Sequence, residues 1–317
     1  MIKNISIIFI SIFLESLPFL LLGSIISSII ENYISDETLS KLIPKNKILG
    51  SLVGILLGFF LPACDCAVIP VSKRLIKKKV PLNVAISFML ASPIINPVVL
   101  LSTYQAFYRT NPEIFWYRFL LGIIISLIIG TIIGIIFGNK KIITNNSEEE
   151  CHIHHNKVEE GFEDLIEEPY EECHCHHKHK HTLKNDFLFI MKHTGLDLFD
   201  VVKYLMFGAL IASTIQVILP KSILMIFKNN QILSIIVLMI FAYLISLCST
   251  SDSFIGKSLL NTFTKGSILA YLLLGPMIDI KNTIVLLGNY KKDFVITLLS
   301  LIFIVIFIIS VLVVKII

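Results

Sequence analysis

Cys64, Asp65 and Cys66 place two thiols and a carboxylate together inside a run of apolar residues. Two thiols one residue apart offer soft sulfur ligands, which select Cu(I), Zn(II) and, by the same softness, trivalent arsenic. Cys248, in a later apolar run, would add a third sulfur to the same ion. The alternative is that these cysteines are small apolar residues at helix crossings. Prolines on both sides of the first motif must interrupt a helix there, which favours a role in transport.

Four carboxylates and one asparagine also lie in or beside apolar runs, where an unpaired charge is costly and tends to be functional. They are Glu15, Asp65, Asn96, Asp252 and Asp279. We expect the carboxylates to complete the coordination of the substrate or to carry a proton. Asn96 in Pro-Ile-Ile-Asn and Asp279 in Pro-Met-Ile-Asp form a matched pair of expected pathway groups.

A second set of chemical groups occupies a hydrophilic stretch between residues 142 and 185. Its thiols and imidazoles suit zinc and copper, although a low-complexity tract with incidental histidines is the alternative. The candidate ligands are Cys151, His152, His154, His155, Cys173, His174, Cys175, His176, His177, His179 and His181. A segment this polar cannot bury a core, so we expect a disordered metal-binding loop without a fixed tetrahedral site.

The composition is that of a polytopic membrane protein. Of 317 residues, 55% are hydrophobic and only 16% are charged, and the mean hydropathy is +0.82. A soluble domain of this length would carry more charge. The formal net charge of +4 implies no nucleic-acid partner, and we interpret the basic residues as determinants of topology.

Eight apolar runs have the length of a membrane span. They cover residues 5–30, 47–63, 82–106, 115–138, 186–219, 230–248, 266–289 and 293–315. Two shorter pieces, 65–76 and 250–263, follow the cysteine motifs and are half-helices, re-entrant segments or short spans. The expected fold class is therefore an all-α polytopic membrane protein with about 8–10 transmembrane segments.

Several features recur after a nearly constant interval. Cys64 precedes Cys248 by 184 residues, and Asn96 precedes Asp279 by 183. This interval predicts two homologous helical halves with the substrate site at their interface, as in many transporters. The expected domains are a first half at 1–140, a Cys/His/Glu-rich loop at 141–185 and a second half at 186–317.

The basic residues predict which side of the membrane each loop faces. The densest cluster, within Lys73–Lys79, predicts a cytoplasmic loop, and counting spans forward puts the 141–185 loop on the cytoplasmic side too. If the two short pieces cross the membrane, each half has five crossings and the halves are inverted. If they do not, each half has four and the halves are parallel. Basic residues near the later spans support each alternative in part, so both stay open.

These motifs resemble the bacterial predicted-permease family of the YraQ/ArsP type over both membrane halves. The matching segments are Cys64-Asp65-Cys66 with Pro70, Pro93-Ile94-Ile95-Asn96-Pro97, Cys248-Ser249-Thr250-Ser251-Asp252 and Gly275-Pro276-Met277-Ile278-Asp279-Ile280-Lys281. The resemblance implies a transporter, since family members include exporters of trivalent organoarsenicals in which membrane cysteines bind the arsenic. The Cys/His-rich loop is similar to that of a copper/zinc efflux branch. Asp65 stands where an arsenical exporter is expected to carry a small residue.

We therefore expect a permease of the bacterial inner membrane that exports zinc or copper between its two halves. No GxxxxGK[ST] phosphate loop occurs, which favours an ion gradient as the energy source. No fixed cofactor is expected, only transported or loop-bound zinc or copper. Besides the bilayer and a metal or metalloid substrate, the partners considered are a second copy of the chain and a metal-delivery protein.

Two other functions stay open. One is an exporter of trivalent arsenicals, and the other is a membrane metal sensor or assembly factor. An enzyme is not expected, because the Cys/His sets lack a fixed spacing of nucleophile and base.

Overall fold

The computed structural model describes residues 2–33, 44, 46–61, 65–138, 140, 142–143, 183–218, 230–260 and 262–316. In this part of the chain the regular structure is helical, apart from one β-bridge between Ile143 and Tyr290. The helices are α1 (Ile2–Tyr33), α2 (Lys47–Phe60), α3 (Val68–Lys77), α4 (Leu82–Ile95), α5 (Pro97–Phe107), α6 (Glu113–Ile136), α7 (Leu183–Ile218), α8 (Gln231–Ile245), α9 (Ser249–Leu259), α10 (Lys265–Met277), α11 (Ile280–Asn289) and α12 (Lys292–Ile316). The predicted all-α fold is confirmed.

Six helical stretches in the described residues are long and apolar enough to cross a membrane. They are Lys3–Ile26, Leu82–Phe107, Glu113–Ile136, Val201–Ile218, Lys265–Asn289 and Lys292–Val314. The apolar helices α2 and α8 have 14 and 15 residues. A helix of that length reaches about 21 Å, against the roughly 30 Å of a bilayer core. The described residues therefore hold six spans, fewer than the eight to ten expected, because two of the apolar runs form helices too short to cross.

The short helix α2 runs parallel to α4. At the start of both helices, the Asn83 Nδ2 donates to the Lys47 carbonyl at 2.7 Å. Further along, the Ser92 Oγ donates to the Leu61 carbonyl at 3.4 Å. Gly54, between these two contacts, lies against the Val84 carbonyl without room for a Cβ. The close approach of two backbones explains why small residues line this face of α2.

Helix α3 returns in the opposite direction and completes a first re-entrant pair, α2 and α3. Its Ser72 Oγ donates to the Met89 sulfur at 3.6 Å, and a short turn then leads into α4. The pair therefore begins and ends on the same side of the bundle. In the described part of its tip, Asp65–Ala67 are buried, and Ala67 packs against Gly23 of α1.

Helices α8 and α9 form a second re-entrant pair. The Ser234 and Ser267 hydroxyls, near the starts of α8 and α10, share a hydrogen bond of 2.9 Å, so these two helices run parallel. Helix α9 returns along α10, with Asp252 beside Tyr271 and Gly256 beside Leu272. The tip between α8 and α9 consists of Ser246–Cys248, and Ser246 takes a left-handed backbone conformation with φ 51°.

The two central spans, α4–α5 and α10–α11, run in opposite directions. On the side that carries the basic end of α3, called the basic side below, the Lys73 Nζ donates to the Asn289 Oδ1 at 2.9 Å. On the opposite side, Lys265 at the start of α10 lies 3.1 Å from Glu113 at the start of α6. The α4–α5 span thus leaves the basic side, whereas α10–α11 returns to it.

Three of the six spans precede residue 140 and three follow residue 185. Two sets with an odd number of crossings have opposite orientations, and the re-entrant pairs add no crossing. We expected parallel halves if the short pieces 65–76 and 250–263 did not cross the membrane. This expectation is wrong, because α2 and α8 do not cross either and each half keeps an odd number of spans. Helix lengths also recur in order, with 32, 14, 10, 14, 11 and 24 residues in α1–α6 and 36, 15, 11, 13, 10 and 25 in α7–α12.

Helices α4 and α10 form the centre of the bundle. Every residue of α4 is buried, and so is nearly every residue of α10. Both are apolar all round, as expected for helices surrounded by other helices. The re-entrant pairs pack against them, so the two tips are held at the middle of the bundle rather than at its surface.

Candidate functional site

Both central spans break at a residue that caps the following helix. The α4–α5 span breaks at Asn96, whose Oδ1 accepts a hydrogen bond from the Val98 N–H at 3.0 Å. The α10–α11 span breaks at Asp279, whose Oδ1 accepts from the Asn282 N–H at 2.6 Å. Such caps satisfy backbone donors that a helix start leaves unpaired. The two residues of the predicted pair therefore share one structural role, as N-caps of half-helices inside the bundle.

A buried lysine joins the second broken span to the tip of the first re-entrant pair. The Lys281 Nζ lies 3.3 Å from the Asp65 Oδ2 and 3.4 Å from the Asp279 Oδ2. The Asn282 Nδ2 donates to the same Asp65 oxygen at 3.3 Å. Lys281 is 3% exposed and Asp65 is 4% exposed. Removing such charges from water costs several kcal/mol each, so the carboxylates and the ammonium stabilise one another.

The charged cluster of Asp65, Asp279 and Lys281 contains two carboxylates and one ammonium. Lys281 carries one positive charge, while Asp65 and Asp279 carry one negative charge each when ionised. A surplus of negative charge in a water-poor interior attracts cations. The cluster therefore favours a cation or a proton over an anion.

A small cavity of about 50 Å³ adjoins the cluster, which is room for a few water molecules. Asp65, Cys66, Ser246, Cys248 and Lys281 are among the residues that line it, together with Glu15 of α1. Both cysteines are reduced thiols. The Cys66 Sγ donates to the Ser16 Oγ at 3.7 Å, and the Cys248 Sγ is 3.4 Å from the Thr250 Oγ1. One thiol from each re-entrant tip therefore lines the cavity.

Several predicted site residues therefore lie together, and others do not. Glu15, Asp65, Cys66 and Cys248 line one cavity, and Asp279 reaches it through Lys281. Asn96 and Asp252 are not among its lining residues. Cys64 and the Cys/His-rich loop at 151–181 lie outside the described residues. Within the described residues, no three His, Cys, Asp or Glu side chains converge closely enough to hold a metal ion.

Asp252 belongs to a separate buried polar cluster. Its Oδ1 accepts a hydrogen bond from the Tyr271 OH at 3.1 Å, and its Oδ2 faces Gly275. Arg118 of α6, fully buried, lies in the same region and donates from Nη1 to Thr103 and Ser253, each at 2.8 Å. These contacts join α5, α6 and α9, so the cluster links the second re-entrant pair to the first half of the chain.

Polar contacts close the protein on both sides of the cavity. On the basic side, the Ser72 Oγ lies 2.9 Å from the Tyr290 OH, and burial raises the pKa of this tyrosine. On the opposite side, the Ser102 Oγ donates to the Thr250 carbonyl at 2.8 Å. In each case a re-entrant helix, α3 or α9, contacts the second half of a broken span, α11 or α5. None of these four residues lines the cavity, which is partly open and has the exposed Glu15 and Phe19 of α1 in its lining.

Three residues of these clusters, Lys281, Asn282 and Arg118, have no role in the sequence-based prediction, in which Lys281 appears only at the end of a matching segment. Lys281 and Arg118 are cations within spans, at 265–289 and 113–136. An ionisable residue inside a span marks a functional or structural site, whichever its sign. Asn282 carries no comparable signal, because its role depends on its distance from Asp65.

Comparisons with known proteins agree on the kind of molecule. A family model described as a predicted permease, ArsP_1, matches residues 1–315. A Streptococcus mutans protein named "Putative two-component membrane permease complex subunit" is 36% identical over 288 residues, which cover 91% of this chain and 87% of the relative. The Bacillus subtilis UPF0718 protein YcgR is 38% identical over 299 residues, 94% of this chain and 93% of the relative. No solved structure shows a significant match.

Proposed function

Because this chain belongs to the ArsP_1 family of predicted permeases, we propose that it exports a soft transition-metal ion, zinc or copper, through the cavity between its two re-entrant tips. One observation carries the proposal. Cys66 from the first tip and Cys248 from the second line the same cavity, next to Asp65 and Glu15. Thiolates bind soft cations in preference to hard ones, and carboxylates add negative charge. Cys64, two residues from Cys66, is the third sulfur in this proposal.

The direction of the helices supports an alternating-access mechanism. The two sets of spans run in opposite directions, and their helix lengths recur in order. Inverted repeats with broken helices are a common architecture of secondary transporters. We infer that the two halves, 1–140 and 186–317, arose by duplication. Opening of the Ser72–Tyr290 contact would connect the cavity to one side, and opening of the Ser102–Thr250 contact to the other.

The loop at 141–185 has a delivery role in this proposal. Its thiols and imidazoles capture zinc or copper by the chemistry argued from the sequence. Basic residues at the end of α3 favour the cytoplasmic side, and the chain enters the loop near that side, since the Lys291 N–H donates to the Ile142 carbonyl at 2.8 Å. The protein would then sit in the bacterial plasma membrane with the loop in the cytoplasm, where an exporter collects its substrate.

The name of the Streptococcus mutans relative describes that protein as a subunit of a two-component membrane complex. We propose that this chain also functions with a second membrane subunit. Affinity purification of the tagged chain from its native membrane, followed by mass spectrometry, tests this. Stoichiometric recovery of one other membrane protein supports the proposal, and recovery of the chain alone contradicts it.

Flux through sealed proteoliposomes tests the transport function. Vesicles holding the full chain are loaded separately with zinc, Cu(I) or trivalent methylarsenite, and efflux is followed for each. We expect zinc or copper flux that Cys66→Ser and Cys248→Ser each reduce at least about tenfold, since each removes one soft ligand. Ser11→Ala, an exposed position on α1, is the matched control and is expected to behave as wild type.

The other outcomes separate the alternatives. Methylarsenite flux that requires the thiols, without zinc or copper flux, would assign the cavity to arsenicals. Metal binding without flux of any of the three species would favour a sensor or assembly factor. Deletion of 145–182 tests the loop separately, and unchanged zinc or copper flux in that variant would contradict a delivery role.

A further inference from the structure

The Lys281 ammonium lies where a cation would be most strongly attracted. Its Nζ is within 3.4 Å of one oxygen each of Asp65 and Asp279, the two buried carboxylates of the cluster. It also lines the cavity that Cys66 and Cys248 line. An ion that bound to the Asp65 Oδ2 and to the thiols would have to take the place of this ammonium, because two cations that share one carboxylate oxygen in a water-poor site repel each other strongly.

We propose that Lys281 is a tethered competitor, which occupies the cation position in the substrate-free protein and which the transported ion must displace. This inference rests on the proposed function and concerns the same cavity. Displacement costs the same for every cation, since it breaks the same contacts to Asp65 and Asp279. An ion therefore enters the site only if the free energy gained from its binding exceeds the free energy lost by displacing Lys281.

Soft and hard cations differ in what they gain. Mn²⁺ gains only carboxylate oxygens, and the ammonium already forms ion pairs with one oxygen each of Asp65 and Asp279. Zinc or Cu(I) gains the same oxygens and, in addition, the thiolates of Cys66 and Cys248. Only the soft ion receives free energy from ligands that the ammonium does not use. Lys281 thus makes thiolate binding a requirement for entry into the site.

A carboxylate outside the cluster can pair with the displaced ammonium. Glu15 of α1 lines the same cavity as Lys281. When the ion binds between the tips, the ammonium moves from Asp65 toward Glu15 without losing its charge. Because the Asp65–Lys281 contact also joins the first re-entrant tip to the second broken span, its loss frees the two halves to move relative to each other.

Kinetics of the Lys281→Gln variant test the proposal in proteoliposomes. We expect the KM for zinc to fall about tenfold, since the competing charge-assisted hydrogen bonds are gone. The KM for Mn²⁺ is expected to fall by the same factor, so that Mn²⁺ flux appears at concentrations where the wild type shows none. Lys281→Arg keeps a cation on Asp65 and is expected to lower neither KM. Lys257→Gln, an exposed lysine on α9, is the matched control.

A KM for zinc that is unchanged or higher in folded Lys281→Gln would overturn the inference while leaving the proposed function intact. Wild-type protein that moves neither zinc nor Cu(I) would overturn the proposed function, and the inference with it. The two failures are therefore distinguishable in one experiment.

Acylation of the wild-type protein provides a second measurement that does not depend on the folding of a variant. The purified full chain is treated with acetic anhydride with and without zinc, and each lysine is read by mass spectrometry. We expect acylation of Lys281 to rise when zinc is bound, because the amine leaves its buried carboxylates. Acylation of Lys257 is expected to stay constant. Acylation of Lys281 that zinc leaves unchanged or lowers would contradict displacement.

Discussion

At the scale of single residues, the two buried cations serve different purposes. Lys281 contacts carboxylates at the cavity, whereas Arg118 donates to hydroxyl and carbonyl oxygens of Thr103, Ser253 and Ser249. A guanidinium presents several donors in a fixed plane, so it can hold these three groups, one from α5 and two from α9, at once. Arg118 therefore acts as a structural link, and Lys281 is the cation with a role in transport.

Replacement of Arg118 by lysine tests the structural link. An ammonium cannot reach all three oxygens, and the groups left without a donor are buried. We expect Arg118→Lys to lower the free energy of unfolding by about 2 kcal/mol. Unfolding in mixed micelles titrated with SDS measures this, with the exposed Arg109→Lys as the control. Equal stability of the two variants would contradict a bridging role for Arg118.

At the scale of helices, the two broken spans depend on their caps. Pro93 and Pro276 lie in the last turn before each break, and Asn96 or Asp279 then starts the next half-helix. A proline removes a backbone donor and favours a break, but the side chain at the cap determines how well the next helix begins.

Substitution of Asn96 separates the cap from the rest of the side chain. Asn96→Ala removes the acceptor of the Val98 N–H and is expected to lower the free energy of unfolding by about 1 kcal/mol. Asn96→Asp retains an acceptor oxygen and serves as the matched variant. Unfolding in mixed micelles again provides the measurement. If Asn96→Ala is as stable as the wild type, the break does not depend on this cap.

The approach of α2 to α4 makes a second prediction at this scale. The Cβ of an alanine at position 54 would overlap the Val84 carbonyl, so Gly54→Ala must push the first re-entrant pair outward. We expect a loss of about 2 kcal/mol in unfolding free energy and reduced flux. Gly195→Ala in α7 meets nothing within 4 Å and is expected to be neutral or slightly stabilising. Comparable losses in both variants would contradict the packing argument.

The fold could be predicted from the sequence more completely than the site. The apolar runs correspond to helices, and the prolines and Asn96 and Asp279 mark the breaks. The span count was wrong because an apolar helix of 14 residues and one of 20 have the same composition, and only their length against the bilayer separates them. The site was predicted in part, since the thiols and Asp65 could be recognised singly, whereas the contact of Lys281 with Asp65 joins residues 216 positions apart.

At the scale of the whole molecule, the described residues form two oppositely oriented sets of three spans, and both sets contribute to the lining of the cavity. The basic side carries the end of α3 and the start of α12, while the opposite side carries the starts of α6 and α10. Each side is therefore closed by one re-entrant helix against one half-helix.

Accessibility of introduced cysteines tests this arrangement. Lys78→Cys and Lys292→Cys are expected to react with a membrane-impermeant maleimide only after the cells are permeabilised. Arg109→Cys and Lys265→Cys should react in intact cells, because both positions lie on the opposite side. Labelling is read against a background without other cysteines. Reaction of Lys78→Cys and Lys265→Cys from the same side would contradict the opposite directions of the two central spans.

The two halves have the same order of helices, but the ion pair between Asp65 and Lys281 has no counterpart at the corresponding positions. The positions at the same interval in the other half are Ser249 and Val98, which carry no charge. In the alternating-access cycle proposed above, conversion between the two orientations would exchange an interface with a buried ion pair for one without it. The two empty orientations would then differ in free energy, and the empty carrier would return to the one that holds the Asp65–Lys281 pair.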